Sequence, residues 1–434
     1  MRKYFALIAI TCLTSSLFVG CSGEEKVSSN GVTEITIPHY KVGQNVGAKF
    51  FVPQVERFNT LHADKYKINI EELPQDGYND KIKQLAQQNK LPALVEAGDT
   101  DWINSYIIPN KKYYDLSDFI SSNEHISNVV IEESLQYNTQ EDGSVSTFPR
   151  TSSRPIGLFY NSTLYTPEKP IRDMSVDEFV QSLGDNKLAF ITGENAWTTM
   201  LFYTSLIANE EGGVELLNSG AKDKITDFNN DIFINATTKL QEIAMSNGSS
   251  NMLGAAYADA ANSFMSKNSA IIFNGSWMGS DFEQGSEDKW SNGFDGTQVV
   301  SDIYPGNVAI DTIQAIGWWI PDGLPEDELE VALAFLEFIN TPEELEAYVL
   351  QEGGVLPNLE MSEAFKEKQK ERVLINQLNS SVTSETHIVP TFEYIVHNSI
   401  SQEEFGKLLP KLFDGSITPE EFCATLTEKA QSIE

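Results

Sequence analysis

The sequence predicts an α/β protein made of two lobes that share chain segments, and three observations support this fold class. The 434 residues exceed what a single hydrophobic core usually holds, so two domains are expected. Strand and helix patterns alternate after Val32, as in a unit with a largely parallel sheet. Two extended segments, over residues 140–161 and 308–321, interrupt this alternation. Neither lobe is therefore expected to be one continuous piece of sequence.

The N-terminus has the order of a signal peptide. Two basic residues precede an apolar run that is too short to span a bilayer, which takes about 20 apolar residues. We expect residues 1–20 to be removed on export. The letters FVGCS resemble the lipobox of bacterial lipoproteins, although Phe18 stands where that family prefers Leu, Val or Ile. The resemblance implies a lipid on Cys21 and a membrane anchor, whereas ordinary signal cleavage would leave Cys21 unmodified.

The cysteines and the segment after the leader fit this interpretation. Residues 21–31 are small, polar and charged without an apolar period, which predicts a flexible tether. Beyond the apolar run only Cys21 and Cys423 remain, so acylation of Cys21 would leave Cys423 without a partner. An exported protein without disulfides fits the extracellular face of a Gram-positive cell, which does not rely on oxidative folding.

The chain is strongly acidic, with 63 Asp and Glu against 30 Lys and Arg and a formal net charge of −33. Binding to phosphates needs clustered Lys and Arg, so we expect no nucleic-acid partner. The acids are scattered along the chain, which is typical of a solvated exterior.

The first α/β region begins with the alternating strand VTEITIPHY, followed by a helical period from Phe50 to Leu61. The strand KINIEEL, a helix over about residues 78–89 and the short strand ALVEA come next. Ligands of such sheets bind at the carboxyl ends of the strands. In this region those ends carry His39, Tyr40, Tyr78, Asp99, Asp101 and Trp102.

The second α/β region follows a hairpin turn at Asp142-Gly143 and the first extended crossing. It contains the strand LAFITG, a helix from about Ala196, a helix over ATTKLQEIAM and the strand SAIIFNGSW. The second crossing, VAIDTIQAIGWWIP, leads into the amphipathic helix DELEVALAFLEFI. Helices are predicted over residues 362–378 and 402–413, and a last helix begins at Thr418-Pro419-Glu420.

Six segments, in order, resemble the extracellular solute-binding proteins of ABC importers, in the carbohydrate-binding branch that includes maltose-binding proteins. They are LPALVEAGD, DGSVSTFPRTSSRPIGLFYN, KNSAIIFNGSWM, DELEVALAFLEFINTPEELEAYV, GGVLPN and LFDGSITPEEF. The resemblance implies a two-lobed, periplasmic-binding-protein-like (Venus flytrap) fold with a hinge of two or three crossing segments. Lobe 1 would comprise residues 32–152 and 311–352, and lobe 2 would comprise residues 153–310 and 353–434. The implied function is to capture an extracellular carbohydrate, as a monomer, and to deliver it to the permease subunits.

A sugar presents apolar faces and a rim of hydroxyls, so its site needs aromatic platforms and charged or amide groups. Trp277 follows a strand at a Gly-flanked turn, where the resemblance implies a stacking aromatic; the alternative is a Trp that covers the edge of the core. Asp99 and Asp101 stand where the resemblance implies an acid that binds hydroxyls. Either could instead cap the helix that begins near Trp102.

Other candidates lie on both lobes. Trp197 and Arg154 occupy positions where the resemblance implies cleft residues, and His39 and Tyr40 are expected to face the mouth of the cleft. Trp318 and Trp319 are adjacent, so in a strand they point to opposite faces and at most one easily reaches the cleft. The predicted ligand-binding residues are Trp277, Asp99, Asp101, Trp102, Trp197, Arg154, His39, Tyr40, Tyr78 and Trp318.

Two other functions remain open from the sequence. One is a lipid-anchored enzyme that degrades polysaccharide with a pair of acids. The other is a receptor of the same fold for a polyamine, a peptide or a phosphate ester. DGSITPEEF lacks two acids of a calcium loop, the histidines lack the spacing of a zinc site, and no GxSxG, SxxK or phosphate loop occurs. We therefore expect a binding protein with no catalytic residues, metal or cofactor.

Overall fold

A computed structural model describes residues 31–433, apart from residues 44, 46, 222, 284, 285 and 312–314. The predicted leader and Cys21 lie outside the described residues. Within the described part of the chain, no helix is long and apolar enough to cross a membrane.

The β-strands of the described residues are mostly short and fall into three sheets. They are β1 (Thr33–His39), β2 (Tyr66–Glu72), β3 (Val95–Glu96), β4 (Ile156–Asn161), β5 (Leu188–Ala189), β6 (Ile271–Gly275), β7 (Val299–Asp302), β8 (Val308–Ile310), β9 (Trp318–Trp319) and β10 (His387–Val389).

The α-helices alternate with these strands along the chain. They are α1 (Ala48–Leu61), α2 (Tyr78–Gln87), α3 (Thr100–Trp102), α4 (Ser117–Ser122), α5 (Glu124–Val129), α6 (Glu132–Asn138), α7 (Val176–Leu183), α8 (Trp197–Ala208), α9 (Gly213–Gly220), α10 (Asp231–Asn247), α11 (Tyr257–Met265), α12 (Glu326–Ile339), α13 (Pro342–Glu352), α14 (Glu363–Gln369), α15 (Val373–Ser381), α16 (Phe392–Ile395), α17 (Phe405–Phe413) and α18 (Pro419–Gln431).

Lobe 1 is built on the parallel pair β1–β2, as the sequence predicted. The buried side chains of Ile35, Ile37 and Ile68 pack there with one face of α1 and with α12, which is contributed by the chain after the second crossing. The strand predicted from ALVEA is shorter than expected and is not part of the parallel pair. It consists of β3 alone, which pairs antiparallel with β9. Ala97, with φ of +48°, ends the strand and turns the chain toward α3.

Lobe 2 contains a six-stranded sheet of order β10-β8-β4-β6-β5, with β7 also paired to β4. This sheet is mixed, because β4 runs antiparallel to its neighbours β6, β7 and β8, whereas β5–β6 and β8–β10 are parallel. Helix α8 is apolar on nearly every side, and all of its residues after Trp197 are buried. A helix of this kind is stable only in a protein interior, and it forms the centre of this lobe.

Three crossing segments join the lobes, and their described residues are 149–155, 311 with 315–317, and 353–356. The first and the third are hydrogen-bonded to each other, since the Ser153 and Val355 backbones exchange N–H···O bonds of 3.0 and 2.8 Å. Leu356 at the end of the third crossing and Phe365 after it pack against Val129 and Val349 of lobe 1. This packing differs from the predicted division at residue 352, and the domain limits remain a prediction.

Two predictions about helices near the C-terminus have different outcomes. The last helix begins where expected, because Thr418 and Glu421 form a capping box at the start of α18. The helix predicted over residues 362–378 is interrupted between α14 and α15. At the break, the guanidinium of Arg372 binds Glu283 of lobe 2 (2.8 Å) and the carbonyl of Leu350. These tertiary contacts accompany the break at a place where the local pattern favoured one helix.

Candidate ligand-binding cleft

Trp277 lies at the end of β6, on the side of lobe 2 that faces lobe 1. Its ring lies directly over Gly275, where an added Cβ would be only 2.1 Å from the ring. Glycine at this position therefore permits the ring to fold back on its own strand. The indole is partly buried against two core clusters of lobe 2.

A row of aromatic rings extends from Trp277 along lobe 2. Trp197, the first residue of α8, has its ring centre 5.9 Å from that of Trp277. Tyr257, the first residue of α11, is stacked on Trp197 with ring centres 6.0 Å apart and an interplanar angle of 7°. Two helix starts and one strand end thus converge, and lobe 2 presents an aromatic wall to the cleft.

Arg154 joins this wall to lobe 1. Its guanidinium carbon is 5.5 Å from the centre of the Trp277 ring and 5.3 Å from that of Tyr348 on α13. A carboxylate oxygen of Glu352 lies 3.7 Å from its Nη1. Burial alone would lower the pKa of Arg154, but Tyr348 and Glu352 raise it overall. The arginine therefore stays charged between two aromatic rings that belong to different lobes.

A charged group lies at the ends of β1 and β3 in lobe 1, and its Glu96 is near enough to Arg154 to raise the pKa of the arginine. Glu96 accepts hydrogen bonds of 2.5 Å from His39 Nε2 and from Lys41 Nζ. The backbone N–H of Lys41 donates to His39 Nδ1 at 2.9 Å, so the imidazole proton is on Nε2. Burial lowers the pKa of His39 and keeps it neutral, whereas Lys41 and His39 outweigh burial and lower the pKa of Glu96. Lys41 and Glu96 thus form a fixed ion pair.

Asp99 and Asp101 bind the opposite lobe. Asp99 caps α3 by accepting from the Trp102 N–H at 3.1 Å, as the capping alternative predicted. It also accepts from Asn398 Nδ2 at 2.5 Å, and Lys83 is its ion-pair partner. Asp101 Oδ2 accepts from the backbone N–H of Asn398 at 2.5 Å. Both carboxylates therefore hold the two lobes together at one edge of the cleft.

A second contact between the lobes lies at another edge. Lys49 on α1 is 3.1 Å from Asp281 of lobe 2, and Asp281 also pairs with Lys289. Together with the Asn398 contacts, this ion pair shows the lobes in a closed arrangement.

Four of the predicted ligand residues pack against the core of lobe 1, two of them buried and two partly buried. His39 is 0% exposed and Tyr78 is 3% exposed in this arrangement of the lobes, so neither side chain is accessible, and their predicted contact with a ligand stays a prediction. Trp102 stacks on Tyr106, with ring centres 5.8 Å apart. Trp318 is partly buried against His39 and Phe335, and its neighbour Trp319 is fully buried, as the alternation of a strand requires. The other predicted residues lie beside the cleft: Trp277, Trp197, Arg154, Asp99, Asp101 and Tyr40. The pKa of Tyr40 is raised by burial and by the charges of Glu96 in lobe 1 and Glu393 in lobe 2.

Several cleft residues were not predicted, among them Tyr348, Glu352, Asn398 and Glu96. Arg150 on the first crossing is another, and its buried Nε has no hydrogen-bond partner in the structure. Glu393 accepts a hydrogen bond from Gln402, and burial raises its pKa. No local motif marks these residues, although two arginines within five residues of an extended crossing could have drawn attention to Arg150.

The arrangement offers hydrogen-bond donors, acceptors and aromatic surface, which are the groups of a binding site. Within the described residues, no three His, Cys, Asp or Glu side chains cluster so that they could hold a metal ion.

Comparisons with known proteins agree with this architecture. The model of a family described as "Bacterial extracellular solute-binding protein" matches residues 54–372, well over half of the chain. A search of curated proteins finds no match.

Solved structures share the fold at low sequence identity. A chitin oligosaccharide binding protein has a TM-score of 0.74 and 16% identity, covering 92% of this chain and 98% of its own. A Streptococcus pneumoniae solute-binding protein in complex with the blood group A-trisaccharide has a TM-score of 0.69 and 16% identity, covering 92% and 100%. A solute-binding protein in complex with raffinose has a TM-score of 0.63 and 15% identity, covering 92% and 98%. The chain belongs to the family of bacterial extracellular solute-binding proteins.

Proposed function

We propose that this protein captures an extracellular carbohydrate, an oligosaccharide in particular, and delivers it to the permease of an ABC importer. The observation that carries the proposal is the aromatic wall of Trp277, Trp197 and Tyr257, which faces fixed charges on the hinge and on lobe 1. Aromatic faces match the apolar faces of sugar rings, and charged hydrogen bonds match their hydroxyls. The three structural neighbours described above are named for sugar ligands, which supports the same assignment.

Trp277 is proposed as the main platform on which a sugar ring stacks. Arg154 is proposed to leave its contacts with the aromatic rings and to donate hydrogen bonds to ligand hydroxyls. Tyr40, Asp99 and Asp101 would supply further polar contacts from lobe 1. A site built on charged hydrogen bonds rejects analogues that lack the hydroxyl, because its own polar groups would stay unpaired. We therefore expect strong discrimination between sugars that differ in one hydroxyl.

Closure of the lobes is the proposed signal to the importer. A ligand that contacts both lobes stabilises the closed form, since only there are all of its contacts made. The Lys49–Asp281 and Asn398–Asp101 contacts exist only when the lobes meet, so they add to the preference for closure. A micromolar affinity corresponds to about 8 kcal/mol, which a few platforms and charged hydrogen bonds can supply.

A lipid on Cys21 is proposed to hold this monomeric receptor at the outer face of a Gram-positive membrane. Anchoring raises the effective concentration of the receptor at the permease. Mass spectrometry of the protein purified from its own membrane tests this point, and an unmodified Cys21 would remove the tether without affecting ligand capture.

Calorimetry with a panel of oligosaccharides, polyamines and peptides tests the proposal. Saturable binding of an oligosaccharide that is recovered intact is expected. Binding of a polyamine and of no oligosaccharide would show that the protein is a receptor for another class of solute. Cleavage of the oligosaccharide would identify an enzyme instead.

A further inference from the structure

A cavity of about 240 Å³ lies beside the hinge, where the three crossing segments meet. None of its lining residues belongs to the set of predicted ligand-binding residues. The first crossing contributes Ser153 and Pro155, the second Asp311, and the third Val355. The rest of the lining comes from lobe 2: Ala309, Asn379, Val382 and Ile388.

The carboxylate of Asp311 is the charged group of this cavity. It accepts a hydrogen bond from the Ser153 hydroxyl, and no lysine or arginine of the described residues forms an ion pair with it. Burial raises the pKa of Asp311, whereas the Ser153 hydroxyl, the charges of Arg150 and Arg154 and a hydrogen bond with the Arg154 backbone lower it. A cation placed in the cavity would therefore pair with an acid that has no ion-pair partner of its own.

Asn379 supplies a second acceptor. Its buried Oδ1 has no hydrogen-bond partner, while its Nδ2 donates to the carbonyl of Gly354 at 3.0 Å. That donation fixes the orientation of the amide, because the flipped form would set two oxygens against each other. A buried acceptor without a donor is unfavourable, so a donor that enters the cavity is favoured.

The remaining walls are aliphatic, formed by Pro155, Val355, Val382 and Ile388. An apolar cavity of about 150 Å³ is large enough to bind benzene. The hinge cavity therefore has room for a molecule of a few carbon atoms with one polar head.

We propose that the hinge cavity binds a small alkylammonium ion. The ammonium group pairs with Asp311 and donates to Asn379 Oδ1, and the hydrocarbon chain packs against the aliphatic walls. Two acceptors and a short apolar wall select a cation with a tail over an alcohol or a carboxylate of the same length.

The position of the cavity links it to lobe movement. All three crossings line it while the lobes are in contact, so an ion bound there favours the closed arrangement. Coupling is reciprocal, which means that the ammonium ion and the ligand of the cleft tighten each other's binding by the same factor. This coupling rests on the proposed function, whereas binding of the ammonium ion does not.

The test is calorimetry on the full chain with three matched probes: butylammonium, butanol and butyrate. Butylammonium is expected to bind saturably, at least tenfold more tightly than either of the other probes. Asp311→Asn should weaken it at least tenfold. Asp64→Asn, which removes the same charge at an exposed position, should leave it unchanged. Ile388→Trp should also weaken it, because this side chain is 42% exposed and can be enlarged over the cavity without disturbing the core.

Equal binding of butanol and butylammonium, or full binding of butylammonium by Asp311→Asn, would overturn the proposal. In a second measurement, saturating butylammonium should tighten oligosaccharide binding about threefold in the native chain and leave it unchanged in Asp311→Asn. Butylammonium that binds without this effect would overturn the coupling. Failure of every oligosaccharide to bind would count against the proposed function and leave the first measurement intact.

Discussion

The guanidinium of Arg154 lies over the Trp277 ring, 5.5 Å from its centre, and the ring of Tyr348 lies 5.3 Å from the same carbon. These side chains come from the first crossing, from lobe 2 and from lobe 1. One cation–π group therefore connects the hinge with both walls of the cleft. A ligand that enters the cleft meets a cation and two aromatic surfaces together.

Replacing Trp277 by alanine should weaken oligosaccharide binding about tenfold or more, because a sugar loses its platform; tenfold corresponds to about 1.4 kcal/mol. Calorimetry measures the change. Tyr160→Ala serves as the control, since Tyr160 is also a partly buried aromatic residue of lobe 2 but lies outside the aromatic wall. Unchanged affinity in a folded Trp277→Ala protein would mean that this tryptophan only covers the core.

Removing the Lys49–Asp281 ion pair should favour the open arrangement. Lys49 is 40% exposed, so the pair contributes about 0.2–1 kcal/mol, and Lys49→Ala should weaken ligand binding by up to about fivefold at low salt. The difference should shrink at high salt, because exposed charges are screened. Lys67→Ala, which breaks an exposed pair with Glu34 inside lobe 1, should leave affinity unchanged. An equal loss in both variants would contradict the assigned role of Lys49.

The burial of His39 predicts a pH dependence of stability. Its pKa is lower in the folded chain than in the unfolded chain, so the unfolded chain binds more protons below about pH 6.5. The stability that neutral His39 contributes is present above that pH and is lost as the pH falls. His39→Gln should therefore show a smaller fall in the free energy of unfolding between pH 7 and pH 5.

Denaturant unfolding of both proteins across this pH range measures the effect. Glu393 and Asp311 act in the opposite direction, since burial raises their pKa, but they do so in both proteins. If the free energy of unfolding falls equally with pH in both proteins, His39 does not gain a proton on unfolding.

The burial of Cys423 predicts how the protein reacts with thiol reagents. Its side chain is fully buried, and burial raises the pKa of the thiol to about 11. A thiol reagent at pH 8 should leave the native protein unlabelled, because little thiolate forms and the reagent has no access. In denaturant, protein from the native membrane should show one reactive thiol if Cys21 carries a lipid. Two thiols would contradict the lipid anchor, and labelling of the native form would contradict the burial of Cys423.

Local patterns predicted most elements of the fold, since periodicity and capping residues act within a few positions. The start of α18 at Thr418 and the parallel pair β1–β2 are examples. Pairing between strands that lie far apart in the sequence could not be predicted from local patterns. The antiparallel partner of β3 is β9, more than 200 residues later, and no pattern within either segment specifies it.

The candidate site was predicted in the same uneven way. Trp277, Trp197 and Arg154 were placed through the resemblance to a family, and the structure brings them together. Asp99 was expected either as a cap or as a ligand contact, and its partner Asn398 lies 299 positions away. His39 looked accessible because it ends a strand, whereas the packing of Tyr40, Phe51 and Trp318 buries it. Contacts between lobes depend on the closed arrangement, which no short segment encodes.

The most direct test of carbohydrate capture combines calorimetry with small-angle scattering on the same oligosaccharide panel. At least one oligosaccharide should bind saturably at micromolar concentration, decrease the radius of gyration and be recovered intact. Binding only of a polyamine or a peptide, or release of shorter sugars, would contradict the account.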